Sequence, residues 1–471
     1  MFRKGKLGIL MVLLLVLYCS KKHGDGKPLA DYHLQTAPEA PSWARNGVLY
    51  EIFIRQFTPE GTFRAAEKYL PDLKSLGVNI LWLMPIYPIG VEGRKGSAGS
   101  PYSVRDYRAV NPELGTAADF RHFVRKAHQF GLKVILDIVP NHSSNDNSEM
   151  KTHPEWFERD KNGQFTREVA DWSDVTDFNY KNPGMRKFMT DNLLYWLKNF
   201  DIDGYRCDVA GMVPFDFWKK VLPRLREAKP DIFLLAEWED PRLLVAGFNS
   251  DYDWTLYHIL KDIRKGRKRT SVAIQMIAQK DGKYPRNALP MRFLENHDEQ
   301  RSLSVFGAEA ISAYASLIFT LPGIPLLYAG QEWGARQRPA LFEKQPLNRK
   351  LADTTLVNFY RKLIAVRRRY SCFRDGNYIP LQTLMATGSA AAFLREDDST
   401  AAVVICNLRG KTAEKIRISL NEVLDSRWKE TPFVNIFDPA DTLKTQPAYF
   451  NEMLPYTTQI YVAEQKTKQL N

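Results

Sequence analysis

Three short segments place acidic side chains directly after runs of apolar residues. The segment DGYRCDVAG puts Arg206 and Asp208 two residues apart, so that in an extended strand both side chains face the same way. The run LLAEWED contains Glu237, and FLENHDEQR contains Asp298. A lone acid at the end of a strand is more often a cap or a surface charge than a catalyst, and a single Arg–Asp pair can be a structural ion pair. Acids that converge from three strands are harder to explain in this way, because a buried carboxylate without a partner is costly.

Two carboxyl groups in different environments can hydrolyse a glycosidic bond. One must be ionised to attack or assist at the anomeric carbon, and the other must be protonated to donate a proton to the leaving oxygen. Arg206 favours the ionised form of Asp208, whereas Glu237 lies between Ala236 and Trp238 after an apolar run. Desolvation should therefore raise the pKa of Glu237. The sequence predicts Asp208 as the ionised carboxylate and Glu237 as the proton donor.

Short β-rich apolar runs alternate with longer amphipathic runs over most of the chain, which is typical of repeated βα units around a parallel sheet. Eight predicted strands indicate a (β/α)₈ barrel, whose chemistry is found at the C-terminal ends of the strands. The predicted strands are Val48–Ile54, Asn79–Met84, Lys133–Val139, Gly204–Val209, Ile232–Glu237, Tyr252–Tyr257 as the weakest, Met291–Glu295 and Ile324–Ala329. The predicted helices are Phe63–Leu76, Ala117–Phe130, Met185–Phe200, Phe215–Ala228, Ala308–Leu321 and Thr355–Arg369.

The composition changes twice along the chain. The connection after the third strand is long and rich in Asn, Ser, Asp and Trp, and long connections of this kind are usually functional or form a subdomain. After Arg369 the chain changes to short alternating runs, which predict antiparallel strands. We therefore predict an α/β fold, with a (β/α)₈ TIM barrel over 42–140 and 186–370. A short subdomain over 141–185 follows strand 3, and an antiparallel β domain occupies 371–471.

The first 22 residues have the pattern of an export signal. Three basic residues within the first six precede an apolar run from Leu7 to Tyr18, which is too short to cross a bilayer comfortably as a helix. Cys19 directly after this run is similar to the attachment cysteine of bacterial lipoproteins, although Tyr18 stands where small residues are usual. A short uncleaved anchor is the alternative. We expect an exported protein, periplasmic or at the cell surface, with Cys19 as a candidate for lipid attachment and a linker over 23–41.

The overall composition of the 471 residues is that of a folded protein, with 44% hydrophobic and 25% charged residues. The net charge of +12 would allow attraction to nucleic acid or anionic lipid. The basic residues are scattered, however, apart from short clusters at Arg264–Arg269 and Arg367–Arg369. This distribution predicts a solvated surface and argues against a nucleic-acid partner.

Three cysteines follow the export segment. Cys207 lies between Arg206 and Asp208, so its side chain should point to the opposite face of the strand. A disulfide between Cys372 and Cys406 would be compatible with export, but their spacing does not establish one.

Four short segments in chain order resemble the four motifs of the α-amylase family of glycoside hydrolases. They are DIVPNH (Asp137–His142), GYRCD (Gly204–Asp208), the strand ending in Glu237, and NHD (Asn296–Asp298). Each motif alone is weak, but four in order on predicted strands form a specific signal. Two further segments, Ser100–Thr116 and Gly323–Gly334, resemble the family's segment after strand two and its eighth strand.

The resemblance implies retaining hydrolysis of an α-glucosidic bond through a covalent glycosyl-enzyme. It implies Asp208 as the nucleophile, Glu237 as the general acid/base and Asp298 as the acid that holds the sugar at its 2- and 3-hydroxyls. The long third loop would be the family's B domain, and the β-rich end its C domain. The remaining substrate-binding residues would be Tyr102 as a stacking platform, His142, Arg206, His297 and Arg301.

Some positions depart from the family's pattern. Many calcium-dependent members have a Lys–His pair just after the nucleophile motif, where this chain has Gly211 and Met212. Asn141 remains, but the B region is short, so we expect no required cofactor and assign no metal ligand, leaving a structural calcium site open. Val209 and TDFN (Thr176–Asn179) favour oligoglucosidases that accept α-1,6 bonds, whereas other loops resemble bacterial α-amylases.

The expected substrate is a starch-derived glucan or malto-oligosaccharide, cleaved mainly at α-1,4 bonds by a monomeric enzyme. An oligo-1,6-glucosidase, an α-glucosidase or a transglycosylase stays open, because acceptor choice depends on loop shape rather than on the acids. A non-catalytic barrel that serves as a binding protein is disfavoured, because such relatives usually lack one of the three acids.

Overall fold

The computed structural model describes residues 31–384, 388–410, 413–418, 420, 423–445 and 449–465. Within these residues, eight parallel strands form one sheet, and a parallel bridge between Tyr252 and Met291 joins its two edges into a barrel. The ten strands of the first part of the chain are β1 (Leu49–Ile52), β2 (Ile80–Leu83), β3 (Lys133–Ile138), β4 (His142–Ser144), β5 (Val175–Asp177), β6 (Gly204–Cys207), β7 (Phe233–Ala236), β8 (Ser250–Asp251), β9 (Met291–Arg292) and β10 (Ile324–Tyr328). The order in the barrel sheet is β8-β7-β6-β3-β2-β1-β10-β9, while β4 and β5 pair antiparallel in the inserted region.

Helices connect the strands. The first half of the barrel contains α1 (Ser42–Arg45), α2 (Ile54–Phe57), α3 (Phe63–Glu67), α4 (Leu70–Leu76), α5 (Ala117–Gln129), α6 (Glu149–Thr152) and α7 (Pro183–Phe200). The second half contains α8 (Phe215–Ala228), α9 (Pro241–Ala246), α10 (Trp254–Arg264), α11 (Thr270–Asp281), α12 (Ser302–Phe306), α13 (Ile311–Thr320) and α14 (Thr354–Arg369). The predicted helix Phe63–Leu76 is wrong as one element, because Pro71 lacks an N–H and instead occupies the first turn of α4.

Alternation along the strands brings polar side chains into the barrel at one level. Apolar residues of β1, β3 and β7 belong to one buried cluster in the barrel interior. Two residues further along each strand, the same face carries an acid. The pairs are Leu49 and Glu51, Ile135 and Asp137, and Leu235 and Glu237. The site acids therefore form a layer at the C-terminal end of the barrel.

Close contact between two central strands requires a glycine at the start of β6. A Cβ atom on Gly204 would lie 2.0 Å from the carbonyl oxygen of Phe233 in β7. Gly204 therefore allows β6 to pair with β7, and Arg206 follows two residues later on the same face.

The C-terminal part forms two antiparallel sheets, which confirms the predicted β-rich end. The six-stranded sheet has the order β11-β13-β14-β19-β16-β17, and the three-stranded sheet has the order β12-β15-β18. Their strands are β11 (Asn377–Leu381), β12 (Thr383–Leu384), β13 (Ala390–Glu396), β14 (Thr400–Asn407), β15 (Glu414–Ile418), β16 (Phe433–Asn435), β17 (Thr442–Leu443), β18 (Tyr449–Met453) and β19 (Thr457–Glu464). The predicted domain boundaries within this fold stay predictions.

Two expectations differ from the structure, and a third is not tested by it. The sixth strand is only β8, and α10 begins at Trp254 within the predicted strand, because Asp253 caps the helix by accepting from the backbone N–H of Leu256. The predicted linker is packed in its second half, where Ala37 and Ala40 are buried. The export segment 1–22, including Cys19, lies outside the described residues.

The three described cysteines are buried and free, so Cys372 and Cys406 do not form a disulfide. Cys207 belongs to the cluster outside the barrel, opposite the face that carries Arg206. Its predicted orientation is thus confirmed. In the described part of the chain, no helix is long and apolar enough to cross a membrane.

Candidate active site

One buried guanidinium lies at the centre of the acidic layer. Arg206 is fully buried and contacts Asp137 at 2.8 Å, Asp208 at 3.0 Å and Glu237 at 2.6 Å. Its Nε donates to the hydroxyl of Tyr252 at 3.2 Å. The acids meet here because β3, β6 and β7 are neighbours in the sheet. A single cation is therefore shared by three carboxyl groups.

Burial raises the pKa of two of these acids. Burial, followed by the charge of Glu237, raises the pKa of Asp208 well above its usual range, although Arg206 acts in the opposite direction. Burial likewise raises the pKa of Asp137 to about 6. Arg206 favours the ionised form of Asp208, as the sequence predicts, but burial and the charge of Glu237 outweigh its effect on the pKa. Such a cluster titrates as a unit and holds a proton near neutral pH.

The backbone turn after β6 connects two of these acids. Val209 adopts a φ of 37°, in the left-handed region that β-branched residues rarely occupy. Its N–H donates to Oε2 of Glu237 at 2.8 Å. Glu237 is thus held by a backbone donor and by Arg206, not isolated in the apolar setting that the sequence suggested. Strained backbone of this kind is concentrated at active sites.

A second cluster surrounds His297. Its Nδ1 lies 2.5 Å from Oε1 of Glu51, and its Nε2 lies 2.8 Å from the hydroxyl of Tyr102 and 3.1 Å from Oδ2 of Asp298. Burial alone would lower the pKa of His297, but Asp298 and Glu51 outweigh burial and raise the pKa to about 10. Burial would raise the pKa of Asp298, but His297 lowers it to about 2. Asp298 is therefore an ionised carboxylate.

Tyr102 joins the two clusters. Its hydroxyl donates to Oδ2 of Asp137 at 3.0 Å, and its ring stacks on His297 with centroids 5.4 Å apart. The indole N–H of Trp82 also donates to Asp137, at 3.3 Å. On the other side, Arg338 donates to the carbonyl oxygen of His297 at 3.0 Å. The acids and aromatic residues thus form one continuous site.

His142 lies at the edge of this site. It is buried, its ring centroid lies 5.0 Å from that of Trp172, and its Nδ1 lies 3.3 Å from Nδ2 of Asn141. Burial, with a smaller effect of Lys95, lowers the pKa of His142 to about 3. His142 is therefore neutral.

The structure brings together seven of the eight predicted site residues, and Arg301 is the exception. Arg301 is 1% exposed, and its guanidinium donates to Glu295 at 2.5 Å and to the carbonyl oxygens of Ala329 and Gln337. Because these acceptors engage its donors within the protein, Arg301 is corrected from a substrate contact to a structural residue. The seven residues are Tyr102, His142, Arg206, Asp208, Glu237, His297 and Asp298.

The sequence-based site residues did not include Glu51, Trp82, Tyr252 and Arg338. Glu51 lies inside the apolar run YEIFI rather than at its end, so it lacked the strand-end signal of the other acids. An acid within an apolar strand is itself a signal that could have identified it. Arg338 lies in the long segment after β10, where no periodic pattern indicates its position.

The residues near the family's calcium position do not fit a metal ion. The Nδ2 group of Asn141 lies 3.3 Å from His142 and 3.4 Å from Asp177, and Asp174 pairs with the ammonium of Lys95 at 3.0 Å. Across the ranges that the structure covers, there is no group of three or more His, Cys, Asp or Glu side chains that could hold a metal. The protein itself thus supplies the cation next to Asp174.

Comparisons with known proteins agree with this geometry. The family model of the α-amylase catalytic domain matches residues 45–172 and 147–354. The α-amylase MalA of Haloarcula japonica is 31% identical over 392 residues, which cover 78% of this chain and 56% of that protein. A cyclomaltodextrinase of Thermoanaerobacter pseudethanolicus is 27% identical over 441 residues, covering 82% of this chain and 73% of that enzyme.

A solved structure is similar along nearly its whole length. The noncanonic maltogenic α-amylase AmyB from Thermotoga neapolitana superposes with a TM-score of 0.81 and 32% sequence identity. The match covers 90% of this chain and 99% of that structure. Together with the match of the catalytic-domain model to more than half of the chain, this similarity establishes that the chain belongs to the α-amylase family of glycoside hydrolases.

Proposed function

We propose that this protein is a retaining hydrolase of α-glucosidic bonds, mainly α-1,4, in starch-derived glucans and maltodextrins. The observation that carries the proposal is the convergence of Asp208 and Glu237 on one buried guanidinium, that of Arg206, at the C-terminal end of the barrel. This cluster provides an ionised carboxylate and a shared proton in the same place, which the two-carboxylate mechanism requires.

In the proposed reaction, Glu237 protonates the glycosidic oxygen while Asp208 attacks the anomeric carbon. The bond to the leaving sugar breaks as the bond to Asp208 forms, which gives a covalent glycosyl-enzyme. Glu237, now ionised, then takes a proton from water, and the resulting nucleophile displaces Asp208 from the anomeric carbon. Two inversions leave the product in the α configuration, and the carboxyl groups return to their initial protonation states.

The remaining residues would bind the sugar next to the reacting bond. Asp298, ionised by its contact with His297, is suited to accept hydrogen bonds from two sugar hydroxyls. The half-buried ring of Tyr102 provides an apolar face for a sugar ring, and neutral His142 can donate a single hydrogen bond. Arg206 is fully buried, so we propose that it acts on the acids rather than on the sugar.

Several relatives are named for short or cyclic maltodextrins, which favours the same substrate class here. They include a cyclomaltodextrinase and a maltogenic α-amylase, while the structures of a cyclic α-maltosyl-(1→6)-maltose hydrolase from Arthrobacter globiformis are about 20% identical and support the fold alone. Val209, directly after the nucleophile, and the segment Thr176–Asn179 resemble oligoglucosidases that accept α-1,6 bonds, which keeps activity on these bonds as the second candidate.

A product profile tests the proposal. Purified protein lacking residues 1–22 would be incubated with starch, maltoheptaose, a cyclodextrin, panose and isomaltose, with Glu237→Gln as the blank. We expect short maltodextrins from starch and maltoheptaose, with the α anomer appearing first by NMR. Glucose from only panose or isomaltose would instead indicate an oligoglucosidase. Turnover of none of these substrates, or release of the β anomer first, would contradict the proposal.

We also propose that the protein is exported, attached to a membrane through a lipid on Cys19, and monomeric. The proposal of export and lipid attachment is supported by the basic and apolar pattern before Cys19. Labelling cells with a radioactive fatty acid should mark the wild-type chain and not a Cys19→Ser variant. Light scattering of the protein lacking residues 1–22 should give the mass of one chain.

A further inference from the structure

Glu51 is a buried acid to which the proposed reaction gives no role. It lies in β1 with no exposed surface, and its Oε1 contacts Nδ1 of His297 at 2.5 Å. Its other oxygen, Oε2, has no hydrogen-bond partner among the residues that the structure describes. Because an incompletely paired buried carboxylate is costly, its presence in the barrel indicates a task that a neutral side chain would not perform.

The two nitrogens of His297 both face acceptors. Nδ1 faces the carboxylate of Glu51, and Nε2 faces the carboxylate of Asp298 as well as the Tyr102 hydroxyl. The Tyr102 hydroxyl donates its own proton to Asp137, so it can only accept from the ring. A neutral imidazole carries one N–H, whereas the imidazolium carries two. When Glu51 and Asp298 are both ionised, only the charged ring donates a hydrogen bond to each of them at once.

We propose that Glu51 is a positioning residue that keeps His297 as an imidazolium and thereby fixes the carboxylate of Asp298 in place for the sugar hydroxyls. The proposal rests on the proposed function, in which Asp298 holds the sugar. Glu51 acts through His297, since the imidazole ring lies between Glu51 and Asp298.

The charges around the ring agree with this role. The acids Glu51 and Asp298 favour the charged ring, as does Asp137 from β3. Arg206 lowers the pKa of all three acids, and Arg338 lowers that of Asp298, so both arginines favour the ionised form of the acids. The other groups packed against the ring are the Tyr102 hydroxyl and the indole of Trp82, whose centroid lies 5.8 Å away.

The second histidine of the site provides an internal comparison. His142 is about as buried as His297, but it faces Lys95 and the amide of Asn141 rather than two carboxylates. Its pKa is lowered to about 3, whereas that of His297 is raised to about 10. The acids, and not burial, therefore set the charge of His297.

Nitrogen NMR of the chain with ¹⁵N-labelled histidine tests this role without any substrate. The chain has 8 histidines, and loss of a signal in His297→Asn would assign the ring. In the wild type we expect both nitrogens to stay protonated beyond pH 8. In Glu51→Gln, which keeps the shape and removes the charge, we expect the titration midpoint to fall by more than one pH unit.

Glu332→Gln is the matched control. Glu332 is also buried and accepts a hydrogen bond at 2.7 Å from Tyr50, the residue before Glu51 in β1. No contact joins it to His297 in the described structure. Its replacement should leave the His297 titration unchanged.

The pH profile on maltoheptaose tests the consequence for the reaction. The alkaline limb of kcat/KM should move to lower pH in Glu51→Gln, with KM at pH 9 rising at least tenfold, and should not move in Glu332→Gln. An unchanged His297 titration in Glu51→Gln would overturn the proposal, and so would a shifted titration without a shifted rate profile.

Two further outcomes remain interpretable. If Glu51→Gln does not fold, the titration of His297 in the wild-type protein tests the proposal by itself. A midpoint near the ordinary value of about 6.5 would overturn the proposal. If the wild type hydrolyses no glucan, the proposed function fails, while the titration still determines whether Glu51 controls His297.

Discussion

The two ends of the barrel differ in the partners of their buried arginines. At the C-terminal end, three carboxyl groups surround the single guanidinium of Arg206. Near the N-terminal end, before β10, three buried arginines bind backbone carbonyl oxygens. Arg367 donates to Phe319, Leu321 and Gly323, Arg395 donates to Thr320, and Arg292 donates to Pro322. Five consecutive carbonyls, two in the last turn of α13 and three in the turn before β10, are thus each bonded to an arginine.

The difference separates a site for chemistry from a site for stability. Arginines at the C-terminal end of a helix satisfy its last carbonyls and interact favourably with its dipole. Burial, reinforced by neighbouring arginines, lowers the pKa of Arg367 to about 9, yet nothing in this arrangement offers a group to a substrate. At the other end, the excess of acids is unfavourable for folding, but it supplies the charges that an oxocarbenium-like transition state requires.

Asp208→Asn should have the largest effect, on activity alone. The amide cannot attack the anomeric carbon, so we expect kcat/KM to fall by about 10⁴-fold or more. Stability should stay the same or increase, because the change relieves repulsion with Glu237. Steady-state kinetics and thermal melting would measure both. Asp216→Asn, on an exposed surface, is the control, and near-normal activity of Asp208→Asn would refute its role as nucleophile.

Arg367→Met should have the reverse effect, a loss of stability with little loss of activity. Loss of its donors leaves buried carbonyls unpaired, so we expect the free energy of unfolding to fall by about 3 to 5 kcal/mol. The kcat of the folded variant should stay within about twofold of the wild type, since no reacting group is touched. Urea unfolding would measure the loss, with the exposed Arg368→Met as the control. A stable Arg367→Met variant with a low kcat would contradict the assignment of stability to the N-terminal end of the barrel and of chemistry to the C-terminal end.

The stability that the acidic end contributes should depend on pH. The folded-state pKa of Asp137, about 6, lies above the ordinary value of 3.8, so the folded state binds a proton more tightly than the unfolded state. Its contribution is therefore fully present below about pH 4 and is lost as the pH rises through 6, a change of about 2 to 3 kcal/mol. The wild-type minus Asp137→Asn difference in unfolding free energy, measured between pH 4 and 7, should show this slope. If this difference in unfolding free energy rose with pH, the pKa of Asp137 would be lowered rather than raised in the folded state, and the prediction would be wrong.

Removal of metal ions should have the smallest effect. Lys95 pairs with Asp174 in the inserted region, and the described residues contain no group of three or more His, Cys, Asp or Glu side chains that could hold a metal. We therefore expect EDTA to change neither the melting temperature nor the rate on maltoheptaose. A marked drop in the melting temperature or in the rate, restored by added calcium, would show that a bound metal stabilises the protein and would contradict this expectation.

Much of the fold was predictable because its signals are local. Seven of the eight barrel strands lie within predicted apolar runs, so these strands and the acids at their ends could be found from the sequence. The errors occurred where a single residue interrupts the pattern. Pro71 divides one predicted helix, and Asp253 begins a helix inside a predicted strand.

The residues at the C-terminal ends of the strands could be predicted from the sequence, because side-chain alternation is a property of the chain. How those residues share charge became known from the folded structure. Arg206 contacts three acids, two of them from neighbouring strands, and Glu51 meets His297 from 246 residues away. Electrostatic energies depend on distances between such side chains, and separation along the chain does not encode those distances. The raised pKa of Asp208 and the structural partners of Arg301 could therefore be identified from the folded barrel and not from the sequence.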